Sequence, residues 1–226
     1  MGEYFCWVNV DRKEYIDPCD FDLGCKRIES MARNNPLIMA LYDLLSEEWK
    51  GCRILFLGDE CEAPDNNNAD VFGILLKDAK EHGTPGFLHD TIYETYRNVS
   101  CFFKAAEKDV RDEIGFYFFT LEDGAFDQPN VYGIDVNDPY KGLFLRDGKS
   151  FKYIINRTKR VCYSLDETQI LDENGMERKL IDPLPSLMGY GKYGEPGPWI
   201  GDIIEVSDTL PENCILLNEI RPEWYY

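Results

Sequence analysis

The chain has 226 residues, 44% of them hydrophobic and 14% aromatic, enough to bury a substantial core as one domain over residues 1–226 and too apolar to remain disordered. It carries 42 acidic against 24 basic residues, a formal net charge of −18, which repels nucleic-acid phosphates and anionic lipid and disfavours both as partners. No run approaches the roughly 18 apolar residues of a membrane span; the expectation is a soluble, cytoplasmic protein whose eight cysteines stay free thiols, several of them buried.

Tyr4 to Ile16 (YFCWVNVDRKEYI) reads as a β-hairpin: an apolar run reaches Asn9, Asp11 follows, Arg12 and Lys13 stay in water, and an apolar return closes it. The same grammar returns in Phe151 to Tyr163 (FKYIINRTKRVCY), where Asn156 stands 147 residues after Asn9. A repeat predicts equivalent turn entries at the two asparagines; the alternative is a pair of unrelated hairpins of ordinary composition. Asp17-Pro18 and Asp20 to Gly24 then read as a polar connection. Asn34 or Asn35 caps a helix that begins at Pro36, presents Leu37, Leu41, Leu44 and Leu45 on one face, and stops at Lys50-Gly51. Arg53 to Leu57 is a strand apolar on both faces, which calls for helices covering both sides of its sheet. A second helix covers about 69–82, with Phe72, Leu75, Leu76 and Ala79 as its stripe and Gly83 to Gly86 as its breaker.

The spacing of Leu88, Ile92, Tyr96, Val99, Phe103, Ala106 and Val110 predicts one helix over roughly 87–112. From Ile114 the pattern reads as β: Ile114 to Leu121, Val131 to Val136, Leu143 to Leu145, a hairpin turn at Asp147-Gly148, the second hairpin, and finally Ile200 to Val206. That order predicts an α+β fold with a mainly antiparallel sheet built from hairpins, and about three helices inserted between the first hairpin and a C-terminal meander.

The chain contains no GxGxxG after a strand and no GxxxxGK[ST], GxSxG or HExxH, so no cofactor is implied. His82, at a helix end, is read as bonded to the last carbonyls. What remains is a carboxylate group. Asp59, Glu60 and Glu62 follow a buried strand, and His89 and Asp90 open the third helix; Asp59, Glu60, His89 and Asp90 are the catalytic candidates, and Asp59 with Glu62 the metal candidates. In so acidic a chain, solvation or helix capping is the simpler role for them. In the tail, Met188 to Trp199 is rich in glycine and proline; Tyr190, Tyr193 and Trp199 are candidate binding residues, unless the loop packs back on the domain.

WVNVDRKEYIDPCDFDLG, YDLLSEEWKGCRILFLGDE, KYIINRTKR and DPLPSLMGYGKYGEPGPWIGDIIEV together resemble a loosely defined group of mostly bacterial proteins with no established activity. The resemblance implies one intact domain and contributes no catalytic residue. Three functional readings follow: an immunity- or antitoxin-like module occluding a basic protein, a metal-dependent hydrolase or transferase at the Asp59 loop, and a housekeeping domain whose acidity only keeps it soluble.

Overall fold

Asn9 and Asn156 end the first strands of two hairpins built alike. In the computed structural model, which describes residues 3–62, 70–83, 88–123, 130–192 and 195–222, β1 (Phe5–Asn9) pairs antiparallel with β2 (Glu14–Ile16). The Asn9 carboxamide oxygen accepts the N–H groups of Asp11 at 3.1 Å and Arg12 at 3.0 Å, and Lys13 closes the turn at φ 54°. β5 (Tyr153–Asn156) and β6 (Val161–Ser164) repeat this: Asn156 accepts the Lys159 N–H at 2.9 Å, and Arg160 sits at φ 57°. Both asparagines are fully buried, so their side chains replace water as partners for turn amides.

The likeness extends well past the hairpins. β1 pairs antiparallel with β3 (Ile54–Gly58), and β5 pairs antiparallel with β9 (Ile204–Ser207), aligning Asn9 with Ile54 and Asn156 with Ile204. Each of these strands is entered through a Trp-x-Gly turn, Trp49 to Gly51 and Trp199 to Gly201, in which the glycine takes φ 75° or 73°. The N–H of Cys52 bonds the Trp49 carbonyl at 3.0 Å, and that of Asp202 the Trp199 carbonyl at 2.9 Å. Asp11 accepts the Arg53 N–H at 2.7 Å, where Thr158 accepts that of Ile203 at 3.0 Å. Each second hairpin strand then takes a short parallel neighbour in one register: β4 (Arg97–Asn98) beside Glu14 and Tyr15, β10 (Ile215–Leu216) beside Val161 and Cys162. The chain therefore holds two copies of one four-stranded unit. Arg53 and Ile203, equivalent residues, form an antiparallel bridge with each other, as residues beside a local two-fold axis do.

The remaining elements fill the space around these units. α1 (Arg27–Ser30) and α2 (Pro36–Ser46) precede β3; α3 (Asp70–His82) and α4 (Leu88–Thr95) follow it; α5 (Glu107–Asp123), β7 (Gln169–Ile170), α6 (Leu184–Leu187), β8 (Gly189–Tyr190) and β11 (Glu219–Ile220) complete the order. Asn35 caps α2 through the Ile38 N–H at 2.9 Å, and Leu37, Leu41, Leu44 and Leu45 are all buried beneath it. β3 is covered on both faces as its composition demands: Ile54 and Phe56 face the core that holds α2, Leu55 and Leu57 the core that holds α3 and α4. The α2 core also receives Ile154, Tyr163 and Ile204 from the second unit.

The fold is α+β, but its sheets are mixed. The orders are β4-β2-β1-β3-β8, β10-β6-β5-β9 and β11-β7, and parallel pairs join β2 to β4, β3 to β8, β6 to β10 and β7 to β11. There are six α-helices among the described residues rather than about three. The expected helix over 87–112 is interrupted because the backbone at Arg97 and Val99 bonds β2 instead, donating to the carbonyls of Lys13 and Tyr15 at 2.9 Å each. Short 3-10 turns at Ser100–Phe102 and Lys104–Ala106 then bury Phe103 and Ala106 at a nearly helical spacing. The expected strand at Ile114 to Leu121 lies inside α5, where Val110 and Ile114 share the buried face while Phe116 is 54% exposed. Val131 to Val136 and Leu143 to Leu145 form no strand, and Gly148 is no hairpin turn: its Cα lies so close to α2 that a Cβ would meet the Met39 carbonyl carbon at 2.6 Å. Cys19 and Cys25 are not free; the tight turn between them, with Asp22 at φ 54°, brings their Cα atoms to 6.0 Å and they form a disulfide.

Candidate functional site

The site grows out of the end of the first hairpin. β2 delivers Asp17 as the N-cap of a 3-10 turn, Pro18–Phe21; one carboxylate oxygen accepts the Cys19 N–H at 2.9 Å and the other accepts the Tyr93 hydroxyl from α4. The Asp17 amide itself donates to the Ser100 hydroxyl at 3.2 Å. One 3-10 turn later Asp20, 2% exposed, accepts from the Asn98 carboxamide at 2.8 Å and faces the Tyr132 hydroxyl at 3.3 Å. That hydroxyl also contacts the Glu113 carboxylate from α5. A phenol has one proton, so it serves only one of these two carboxylates at a time.

Asp17 and Asp20 open on a cavity of about 640 Å³ walled by Tyr15, Tyr93, Tyr117 and Tyr132, with Glu94, Asp112, Glu113 and Phe116 at its exposed rim. No lysine, arginine or histidine is among the described residues lining it. Burial pushes the Asp17 carboxyl up from its ordinary 3.8 to about 7; the Cys19 N–H opposes the shift and the Glu113 charge adds to it. Asp20 is pushed well above the usual carboxylate range by burial first, then by the charges of Asp17 and Glu113, against hydrogen bonds from Ser100 and Asn98. Burial therefore favours the protonated forms of Asp17 and Asp20, and a cation placed beside them would favour the ionised forms.

The residues singled out from sequence lie elsewhere. Asp59 accepts the Tyr4 N–H at 2.9 Å and Glu60 pairs with Lys192 at 2.7 Å; no three of Asp59, Glu60, Glu62, His89 and Asp90 bring ligand atoms together. His89 stacks on Tyr93 at 4.3 Å between ring centres; burial lowers its pKa, while the charges of Asp59 and Asp90 oppose the shift. Tyr190 donates to the Glu62 carbonyl at 2.9 Å and meets the Phe72 ring edge at 5.0 Å. Trp199 is 5% exposed and packs 5.8 Å from Tyr163, so it is a core residue and not a surface anchor. Tyr193 lies outside the described residues. Asp17 and Asp20 lie in the stretch that reads as a polar connection, and Glu113 falls between the expected helix over 87–112 and the expected strand from Ile114. The available signal was Asp17-Pro18, a cap followed by proline at the first position of a turn. Comparison of the chain with protein families, curated proteins and solved structures finds no match in any of the three.

Proposed function

We propose that the chain is a non-enzymatic acidic binding module of the immunity or antitoxin kind, which occludes a basic protein by taking one lysine or arginine side chain into the Asp17, Asp20 and Glu113 cavity. The observation that carries this reading is the convergence of these carboxylates in one tyrosine-walled cavity whose described lining includes no cation. Buried carboxylates without a counterion stay protonated, and an entering ammonium or guanidinium restores both charge balance and hydrogen bonding. Tyrosine faces suit such a cation further, and exposed Phe116 gives the rim an aromatic contact. The net charge of −18 supplies long-range attraction to a basic surface.

The test is calorimetry with a lysine- and arginine-rich peptide and its acidic counterpart, on the wild type, Asp20→Asn and Glu113→Gln. A hydrogen bond to a charged group is worth about 1.5–3 kcal/mol, so each substitution is expected to weaken the basic peptide by roughly 10- to 100-fold. Equal binding of the two peptides, or no effect of either substitution, refutes the reading; a pull-down from the native host then identifies the partner. A second reading draws on Asp17 alone, since a carboxyl near pH 7 beside another carboxyl suits a general acid. Turnover of a chromogenic ester or glycoside with a pH limb near 7 that Asp17→Asn abolishes would select it.

A further inference from the structure

A carboxylate oxygen of Asp17 and the sulfurs of Cys19 and Cys25 lie within 4.8 Å of one another. We infer that reduction of the Cys19–Cys25 disulfide converts these three groups into a zinc(II) site. Zinc takes thiolate at about 2.3 Å and carboxylate at about 2.0–2.2 Å, so tetrahedral ligands stand roughly 3.5–3.8 Å apart, inside the envelope these atoms already occupy. Two thiolates in the set disfavour magnesium and calcium, which prefer oxygen alone. Three protein ligands leave the fourth position to water.

The backbone is ordered for this role by bonds that do not involve the sulfurs. The Asp22 N–H bonds the Cys19 carbonyl at 3.3 Å, the Leu23 N–H bonds the Pro18 carbonyl at 3.2 Å, and the Phe5 N–H of β1 bonds the Cys25 carbonyl at 2.8 Å. Tyr93 and the Cys19 N–H orient the carboxylate, the outer support that metal-binding carboxylates use. Cys19 is exposed while Asp17 and Cys25 are buried, which gives reductant and ion one entry path. The step balances as thiol exchange: a dithiol gives two electrons and its two protons, its own sulfurs join, the Cys19–Cys25 bond breaks to two thiols, and zinc releases those protons to solvent. Cys6, Cys61 and Cys101 are buried, and burial pushes the Cys101 thiol up to about 12 and raises those of Cys6 and Cys61 as well. Asp17 is common to this site and to the cavity, but the zinc inference rests on the two sulfurs beside it and its test uses no cavity ligand.

The experiment is cobalt(II) titration of the full chain, oxidised and after reduction by a phosphine, read by the sulfur-to-cobalt charge-transfer band and by zinc displacement. The reduced protein is expected to bind one cobalt per chain with a two-thiolate band that zinc abolishes, and the oxidised protein to show none. Cys19→Ser should lose the band, while Asp17→Asn should keep it with affinity at least tenfold weaker. If reduction loosens the fold, zinc must restore the ellipticity and melting temperature. A band of equal strength in the oxidised protein or in Cys19→Ser, undiminished affinity in Asp17→Asn, or a reduced chain that takes no zinc from a chromogenic chelator overturns the inference.

Discussion

Asp17→Asn is expected to stabilise the protein at alkaline pH and to do nothing at acid pH. Asparagine keeps the oxygen that caps the Cys19 N–H, and its amide can donate to the Tyr93 hydroxyl, which then accepts instead of donating. What it removes is a carboxyl whose folded pKa of about 7 lies above its ordinary 3.8. A raised pKa means the folded state holds the proton more tightly, so the group's contribution is most favourable below pH 3.8 and is lost as pH rises through 7. A gap of about three units at about 1.36 kcal/mol each places an upper bound near 4 kcal/mol on the loss at pH 8, against about 2 kcal/mol at pH 5 and under about 1 kcal/mol at pH 4. Coupling to Asp20 and relaxation of the cavity reduce these figures without changing their order. Urea denaturation of wild type and Asp17→Asn at pH 4, 5, 6 and 8, both oxidised, measures the difference directly. A stability difference that does not grow with pH, or a variant weaker than wild type at pH 8, refutes the reading of Asp17 as a buried carboxyl held for something other than stability.

The same titration gives the affinity for a basic peptide a sign: it should rise by up to tenfold per pH unit below about 7, where binding must displace the Asp17 proton, and flatten above; a flat profile from pH 5 to 8 counts against the cavity as the binding site. Asn9→Ala and Asn156→Ala should each destabilise by about 1–3 kcal/mol in urea, since each removes a buried side chain that accepts the turn N–H groups. Arg160→Gly should stabilise by about 0.5–1 kcal/mol by relieving a left-handed side-chain residue. Lys13→Gly at the matching position should instead destabilise, because Asp78, 8% exposed at its side chain, would lose the ammonium 2.8 Å away.

Much of the fold was legible because it was local. Asn35 and Pro36 start α2, the leucines at helical spacing bury its face, and the asparagine, two-cation pattern of each hairpin marks a turn that the backbone then adopts twice. The failures lie where distant backbone decides. Arg97 and Val99 sit in a helical apolar period, but ladder bonds to Lys13 and Tyr15 take precedence over it. The run at Ile114 is apolar on adjacent residues, which a strand buried on both faces and a helix in contact with several elements share, and periodicity cannot separate them. The cavity was hidden for a related reason: Asp17, Asp20, Asn98, Glu113 and Tyr132 come from four separate stretches, and acidic residues in a connection are indistinguishable from solvated ones until burial is known.

The repeat supplies a control for what the cavity's carboxylates do. Asp17 stands eight residues after Asn9; the residue eight after Asn156 is Ser164. Both cap the turn that follows: Ser164 accepts the Asp166 N–H at 3.3 Å as Asp17 accepts that of Cys19 at 2.9 Å. The next turn bond also recurs, from Asp20 to the Asp17 carbonyl at 3.2 Å and from Glu167 to the Ser164 carbonyl at 3.3 Å. A neutral hydroxyl therefore suffices for this backbone, and the charge at position 17 is surplus to capping. The residue matching Asp20 points the same way, for Glu167 is exposed and paired with Lys152 at 2.7 Å, whereas Asp20 is buried with no ion pair among the described residues. Of two copies of one unit, the second satisfies its acids within the chain. The first buries them against a cavity at a cost in stability, which the proposed function would offset with a ligand cation.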